Sequence, residues 1–528
     1  MPVQVLSAGA SARALVALCA VTLAVGALAE AEKDLGARIF EHAGRLGREG
    51  RPELAVDEYR RLIEGYPDSS LADDALLAIG EHLYKVRSLD ELGRARGPAI
   101  EEAFRIFERV RRKHARDNAA PAAIVRMAFI RLEPHGGKRD VDIAHVLFRS
   151  VSEIYPGSEW EDDARLGMAY CSRLSGRPSR VVVDLQPFWE RLAGSPLSAR
   201  ATLWRADAFE SLGRRDRALE LYQRLREESP GSTEAGQANA RTVLLLRRAL
   251  AAAGSARLRE DASFAGQLGR AKEISGVWTS PKGWIYLADR GAGRIVRFDR
   301  RGRRLGDRLA AEPALLAFDS YGQAAVLERA ALRVGKQRWA LAVPHGDKNS
   351  KLRPAAAPLP RNDASWWFVD DRGEAVLEFD RELKFQRVVW KDDRLSASRA
   401  RPGPGGVVWL LDTKAGRLVR LNRDGEALQI ELGKEPPALS RPVDLAVDPN
   451  GAVWVLDAHR KGLGVFSPVG EYEGFVPLEG AVSRSDLEAV EVDASGAVLV
   501  YDARQQRLRR FFDPTPDMEG VKRAGVKP

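Results

Sequence analysis

The sequence predicts a chain of two parts, an N-terminal α-solenoid and a C-terminal six-bladed β-propeller, from two internal spacings and a change in composition. Asp289, Asp370, Asp412, Asp457 and Asp502 share one frame. Six residues before them stand Gly283, Ala364, Gly406, Gly451 and Gly496; six residues after stand Ile295, Val376, Leu418, Leu463 and Leu508. Nine residues after stand Phe298, Phe379, Leu421, Phe466 and Phe511, and a degenerate copy carries Gly322 and Glu328. The copies lie 39, 42, 42, 45 and 45 residues apart, a period that strand-rich repeats show when they close into a propeller. From 32 to 250, Ala, Leu, Arg and Glu prevail and β-branched runs are few, which favours helix.

A length of 528 residues exceeds what one core can serve. The expected division is a signal peptide over 1–29, helical repeats over 30–255, a propeller over 256–513 and a disordered tail over 514–528. In the leader, Arg13 precedes the small apolar run 14–29, and Ala27-Leu28-Ala29 offers a small-x-small cleavage site. Sixteen residues fall short of the roughly 20 that span a bilayer, although an uncleaved anchor is the competing reading. Leu18 before Cys19 departs from a lipid-attachment site. Export to the periplasm or cell envelope, or secretion, follows. After cleavage Cys171 stands alone, which excludes an intramolecular disulfide and a cysteine metal cage. Its neighbours Met168, Ala169 and Tyr170 place it in an apolar helix pattern.

The helical half carries Ala55-x3-Tyr59-x7-Pro67, repeated as Ala144, Phe148, Pro156 and as Ala218, Tyr222, Pro230. Ala103 and Phe107 keep the first part of the pattern, Phe188 and Pro196 the last. A small alanine lets antiparallel helices approach, the aromatic one turn on fills the groove, and proline stops the second helix. Ser69, Ser158, Ser198 and Ser232 follow the prolines as predicted caps, and Gly50 and Gly213 mark the turns inside hairpins. With Tyr66-Pro67-Asp68-Ser69-Ser70-Leu71-Ala72-Asp73-Asp74-Ala75, this half resembles the tetratricopeptide repeat family. The likeness is to the envelope branch that includes cell-division coordinators and the helical lipoprotein of outer-membrane β-barrel assembly. It covers about five units over 35–250 and implies a protein-binding solenoid.

Each copy in the second half reads strand, glycine turn, strand, aspartate turn, strand, as in Val443–Val447, Asp448–Gly451, Ala452–Asp457 and Gly462–Phe466. Tyr286, Trp367, Trp409 and Trp454 stand three residues before the periodic aspartate, where a large ring fills the space between blades. Trp284–Asp289 followed by Gly293–Asp299 resembles NHL-type repeats, and the likeness covers 264–513. Blade two lacks the aspartate and has Gln337 in place of the phenylalanine; blade three is compressed. The periodic aspartates are expected to accept bonds from amides of their own turns; a cation-binding ring of carboxylates is the alternative. A strand around 257–265 is expected to close the last blade against the chain end, and 346–360 to form an exposed loop.

Propeller lactonases, and lyases resembling these repeats, hold a divalent metal with carboxylates, Asn or His near the central channel. This half has only His345 and His459, neither with a second histidine at ligand spacing. No catalytic residue, metal ligand or cofactor is assigned. Asp444 stands where other copies have Gly276 and Ala489, which makes it the foremost binding candidate, with Asp486 and Glu488 beside it. From residue 256 on, 45 Lys and Arg face 38 Asp and Glu, against 37 and 36 over 30–255. Arg300, Arg301, Arg303 and Arg304 form the densest basic cluster and, with Arg290, Arg294, Arg297, Arg417, Arg420, Arg504, Arg507, Arg509 and Arg510, a predicted rim for an acidic partner. Without stacking aromatics among these arginines, nucleic acid is not an expected partner. The reading is a non-enzymatic envelope scaffold that binds proteins through the helical groove and the propeller face. The alternatives are a propeller-borne metal-dependent lyase or lactonase with a helical docking module, and an accessory factor in outer-membrane protein assembly or cell division.

Overall fold

The computed structural model describes residues 35–85, 97–133, 140–186, 195–309, 314–318, 323–335, 337–345, 348–361, 365–434, 436–480 and 486–513. The predicted signal peptide with Cys19, the aromatic position Phe188, Gly322, Ala364 and the tail 514–528 lie outside them. No helix among the described residues is long and apolar enough to cross a membrane.

Among the described residues eleven α-helices come first: α1 (35–48), α2 (Pro52–Gly65), α3 (Ala72–Lys85), α4 (Gly97–Lys113), α5 (Ala119–Leu132), α6 (Val141–Ile154), α7 (Glu161–Leu174), α8 (Pro178–Leu185), α9 (Ser198–Ser211), α10 (Arg215–Glu228) and α11 (Thr233–Ala252). The chain divides into two compact units. The first holds α1 to α5 and the end of α6; the second holds the start of α6, the body of α7, α8 to α11 and every strand.

In the first unit α2 packs on α3, α3 on α4 and α4 on α5. Ala55, Ala103 and Phe107 are buried, while Tyr59 is half-buried with its ring 5.3 Å from Phe40. The Phe107 ring lies on Gly80 of α3, where a Cβ would stand 2.5 Å from it. In the second unit Phe148 covers Gly167 with the same spacing of 2.5 Å. Tyr222 is fully buried and donates its hydroxyl proton to Asp207 Oδ1 at 2.8 Å. Gly213 takes φ +73° between α9 and α10, a left-handed value open to glycine without strain. The serines after the prolines follow their prediction in part. Ser232 caps α11 by accepting from Ala235 N at 3.0 Å, but Ser198 is already the first residue of α9 and Ser158 Oγ is buried without a hydrogen bond.

The strands form a propeller-like arrangement. β1 (Leu258–Glu260) is followed by the antiparallel sheet β2 (Ile274–Thr279), β3 (Ile285–Asp289), β4 (Arg294–Phe298), β5 (Arg304–Leu309), and by the sheet β6 (Ala314–Phe318), β7 (Ala324–Glu328), β8 (Ala331–Val334), β9 (Gln337–Ala340). A hairpin of β10 (Ala342–His345) and β11 (Lys348–Lys351) precedes the sheet β12 (Leu359–Pro360), β13 (Trp366–Val369), β14 (Ala375–Phe379), β15 (Phe385–Lys391). The next sheet is β16 (Arg399–Pro402), β17 (Val408–Asp412), β18 (Arg417–Leu421), β19 (Ala427–Glu431). An eight-stranded sheet completes the set: β20 (Pro442–Val447), β21 (Val453–Asp457), β22 (Gly462–Phe466), β23 (Tyr472–Glu479), then β1, β26 (Arg507–Phe512), β25 (Val498–Asp502) and β24 (Leu487–Val492). β1 joins its halves, antiparallel to β26 and parallel to β23.

Of the predicted loop 346–360, residues 348–360 are not an exposed loop, because β11 pairs with β10 and Leu352, Ala356, Ala357 and Leu359 are buried among neighbouring sheets; 346–347 lie outside the described residues. Trp367, Trp409 and Trp454 are wholly buried. Within the second unit the helices are fixed to the strands by a buried ionic latch. Arg248 donates to both Glu210 and Glu473, Glu473 also pairs with Arg215, and Asn450 Nδ2 donates to Glu210 Oε2 at 3.2 Å. Arg247 donates to Asp513 and to the Gly496 carbonyl, the latter at 2.7 Å. Gly176 and Gly405 meet backbone to backbone, since a Cβ on Gly176 would lie 1.8 Å from Gly405 O.

Candidate binding site

The periodic aspartates build one rim. Asp289 Oδ1 accepts from Ala292 N in its own turn and from Lys272 N and Glu273 N ahead of β2, all at 3.2 Å. Asp412 takes Lys414 N and Ala415 N on one oxygen and Ser396 N on the other. Asp457 takes His459 N and Arg460 N on one oxygen and Ser440 N on the other. Asp502 Oδ1 accepts from Arg504 N, Gln505 N and Asp486 N. Each carboxylate therefore ties the turn after its strand to the segment entering the same sheet's first strand. Asp370 departs from this scheme. It is half-buried and, among the described residues, its carboxylate accepts from Glu374 N and Ala375 N of its own turn. At the degenerate position Glu328 is buried and pairs instead with Arg333 and Arg338.

Beside the segments fastened by Asp289 and Asp412 lies a cavity of about 580 Å³ lined by Glu273, Arg290, Arg329, Arg353, Ser398 and Arg399, among others. Glu273 pairs with Arg290 at 3.6 Å. Nearby, Asp486 pairs with Arg441 at 3.9 Å. Burial pushes the Glu488 carboxyl up, Asp486 adds to the rise, and Arg399 and Arg441 oppose it.

Asp444 lies on β20 with no exposure to solvent. Its Oδ2 accepts from Val490 N at 2.9 Å and stands 3.6 Å from Arg401 Nη2; its Oδ1 lies 3.5 Å from Arg399 Nε and makes no hydrogen bond. Arg401 is itself buried, 3.5 Å from the Val277 carbonyl and 5.1 Å above the Trp278 ring. Glu491 completes the group, accepting from Thr279 N at 3.0 Å and Thr279 Oγ1 at 2.9 Å. Burial pushes its carboxyl up to about 7 against the pull of Arg401. Two guanidinium groups against Asp444 make this donor set unfit for a divalent cation, whose charge they would oppose.

Of the predicted basic rim, Arg294 and Arg304 meet on Asp307. Arg300, Arg301, Arg303 and Arg304 occupy the turn between β4 and β5 and the start of β5, where Arg303 pairs with Asp299 at 2.7 Å and Arg304 with Asp307. Arg300 donates to the Lys282 carbonyl. Only Arg290 of the predicted rim lines the cavity. Arg329, Arg353 and Arg399 were not legible as a group, being scattered over three copies at unequal offsets. A second cavity, of about 260 Å³, lies among α7, α8, α9 and the turns of two sheets, with Trp204, Trp409, Arg173, Arg420 and Asp207 in its lining.

A tetratricopeptide repeat family model matches residues 200–232, which span most of α9 and all of α10. No curated protein matches the sequence. Among solved structures, a virginiamycin B lyase from Staphylococcus aureus is 14% identical with a TM-score of 0.36, covering 50% of this chain and 90% of its own. A gluconolactonase from Xanthomonas campestris is 16% identical with a TM-score of 0.36, covering 49% and 95%. The Swd1 β-propeller domain of Myceliophteria thermophila is 14% identical with a TM-score of 0.36, covering 47% and 86%. The chain combines a tetratricopeptide repeat with a β-propeller-like arrangement of sheets.

Proposed function

We propose that this chain is a non-enzymatic scaffold of the cell envelope that binds protein partners through its helical repeats and displays a second docking face on an NHL-type, six-bladed propeller. The observation that carries the reading is the buried latch of Arg248 with Glu210 and Glu473, which makes α9 to α11 one body with the strands. Such a joint suits a protein that holds partners at fixed spacing. Six blades are supported by the order of the first strands, in which β2, β6, β12, β16, β20 and β24 are neighbours in turn and β24 returns to β2. The eight-stranded sheet is then two blades sharing β1. The pairing of Asp444 with two arginines weighs against the lyase or lactonase alternative. Export rests on the leader sequence, and a role in outer-membrane assembly or cell division on resemblance.

Val146 on α6 and Val183 on α8 are large apolar side chains left exposed. With a photo-crosslinking residue at either position in the full chain, the expected result is one saturable adduct with an envelope protein. A probe at exposed Val388 on β15 serves as the comparison. Absence of any saturable adduct at the helical positions, with adducts at Val388, would overturn the solenoid as the docking surface.

A further inference from the structure

We infer that the cavity at the mouth of the first strands binds a small anion carrying two or more phosphate or carboxylate groups. Its lining holds four guanidinium groups, Arg290, Arg329, Arg353 and Arg399, against the single carboxylate of Glu273. The nearby acids are already engaged, Glu273 with Arg290 and Asp444 with Arg399 and Arg401. Arg353 is exposed to the cavity, and among the described residues no acid lies within ion-pairing distance of it.

Arg329 supplies an independent sign. It is the first of two residues joining β7 to β8 and sits at φ +50°. Glycine or asparagine takes that conformation readily, whereas an arginine there is strained. The strained position carries the one side chain that adds a further guanidinium to the cavity. Glu273 and Asp444 answer Arg290 and Arg399 at 3.6 and 3.5 Å, whereas Arg353 has no such acid among the described residues, and an anion entering the cavity is attracted to it. Guanidinium forks match phosphate and carboxylate oxygens two at a time, so several arginines favour a ligand with several such groups. Beyond Arg399 along β16, buried Arg401 bridges β16, β20 and β2. The acids Asp486 and Glu488 stand with Arg441 near Arg399.

The test is calorimetric titration of the full chain with pyrophosphate and with citrate, acetate serving as the single-charge control at matched ionic strength. Saturable one-to-one binding of pyrophosphate or citrate is expected, and the tighter of the two assigns phosphate or carboxylate. Arg353→Ala and Arg329→Gly should each weaken it about tenfold or more, and Arg329→Gly should leave thermal stability equal or higher because the turn is relieved. Lys384→Ala, on the outer turn between β14 and β15, should bind as the parent does. No saturable binding of either anion, or equal binding by both arginine variants and the parent, would overturn the inference. Neither result bears on the helical crosslinking test.

Discussion

Glu491 is half-buried on β24, where burial raises its carboxyl toward neutrality. Burial pushes its carboxyl from the ordinary 4.5 to about 7, with Asp444 adding to the rise and Arg401 and the Thr279 donors opposing it. The folded chain thus holds a proton on Glu491 between pH 4.5 and 7 that the unfolded chain releases. Stability from this group is full below 4.5, falls as pH rises to 7, and is lost above that. The shift is worth about 3 kcal/mol at pH 8. Glu491→Gln keeps an oxygen to accept from Thr279 and carries no charge. It should raise the melting midpoint at pH 8 and flatten its dependence between pH 5 and 7. A variant that melts with the parent's pH profile would show that Glu491 is ionised throughout. Sequence alone singled out Asp444 on β20 because a carboxylate replaced small residues. It could not show that the partners were arginines from β16, since pairing across sheets depends on how blades stack.

At the scale of elements, the repeat frame was legible wherever a strand is buried on both faces, as in Val453–Asp457 and Gly462–Phe466. The outer strands were not. β5 is exposed at every residue and reads Arg-Leu-Gly-Asp-Arg-Leu, with no alternation to mark it. The aromatic positions of the helices were legible, but the glycines receiving them were not, because a glycine inside a helix leaves no periodic signal. Gly167 in α7 meets Phe148 of α6 in this way. Gly167→Ala would gain up to about 1 kcal/mol of helix propensity. It would also push a Cβ to 2.5 Å from a ring that is itself fully buried, and overpacking of that kind costs about 1–3 kcal/mol. Net destabilisation is expected in thermal unfolding. Phe148→Leu in the Gly167→Ala background should recover part of it, giving a favourable coupling in the double-mutant cycle. Additive losses would mean that the ring moves aside freely.

For the whole molecule, the decisive feature is the latch that fastens α9 to α11 onto the blades. Arg248 is buried between Glu210 and Glu473, and those contacts hold its guanidinium strongly protonated, Glu473 foremost, against the opposing effect of burial. Nothing in the sequence separates Arg248 from the many arginines around it, because its role depends on acids 38 and 225 residues away. Arg248→Met fills similar space but leaves two buried carboxylates short of their partner, at a cost of about 3–5 kcal/mol. Arg215 keeps one bond to Glu473, so Glu210 is the group left most exposed to that penalty. The variant should unfold in two steps, the helices releasing before the strands, and limited proteolysis should cut near residues 253–257, between α11 and β1. Adding Glu210→Gln to Arg248→Met should restore much of the lost stability, since a neutral amide can remain buried beside Asn450. A single transition within a degree of the parent would show that the helices hold to the strands without the ion pairs. The scaffold reading would then lose the rigid joint on which it rests.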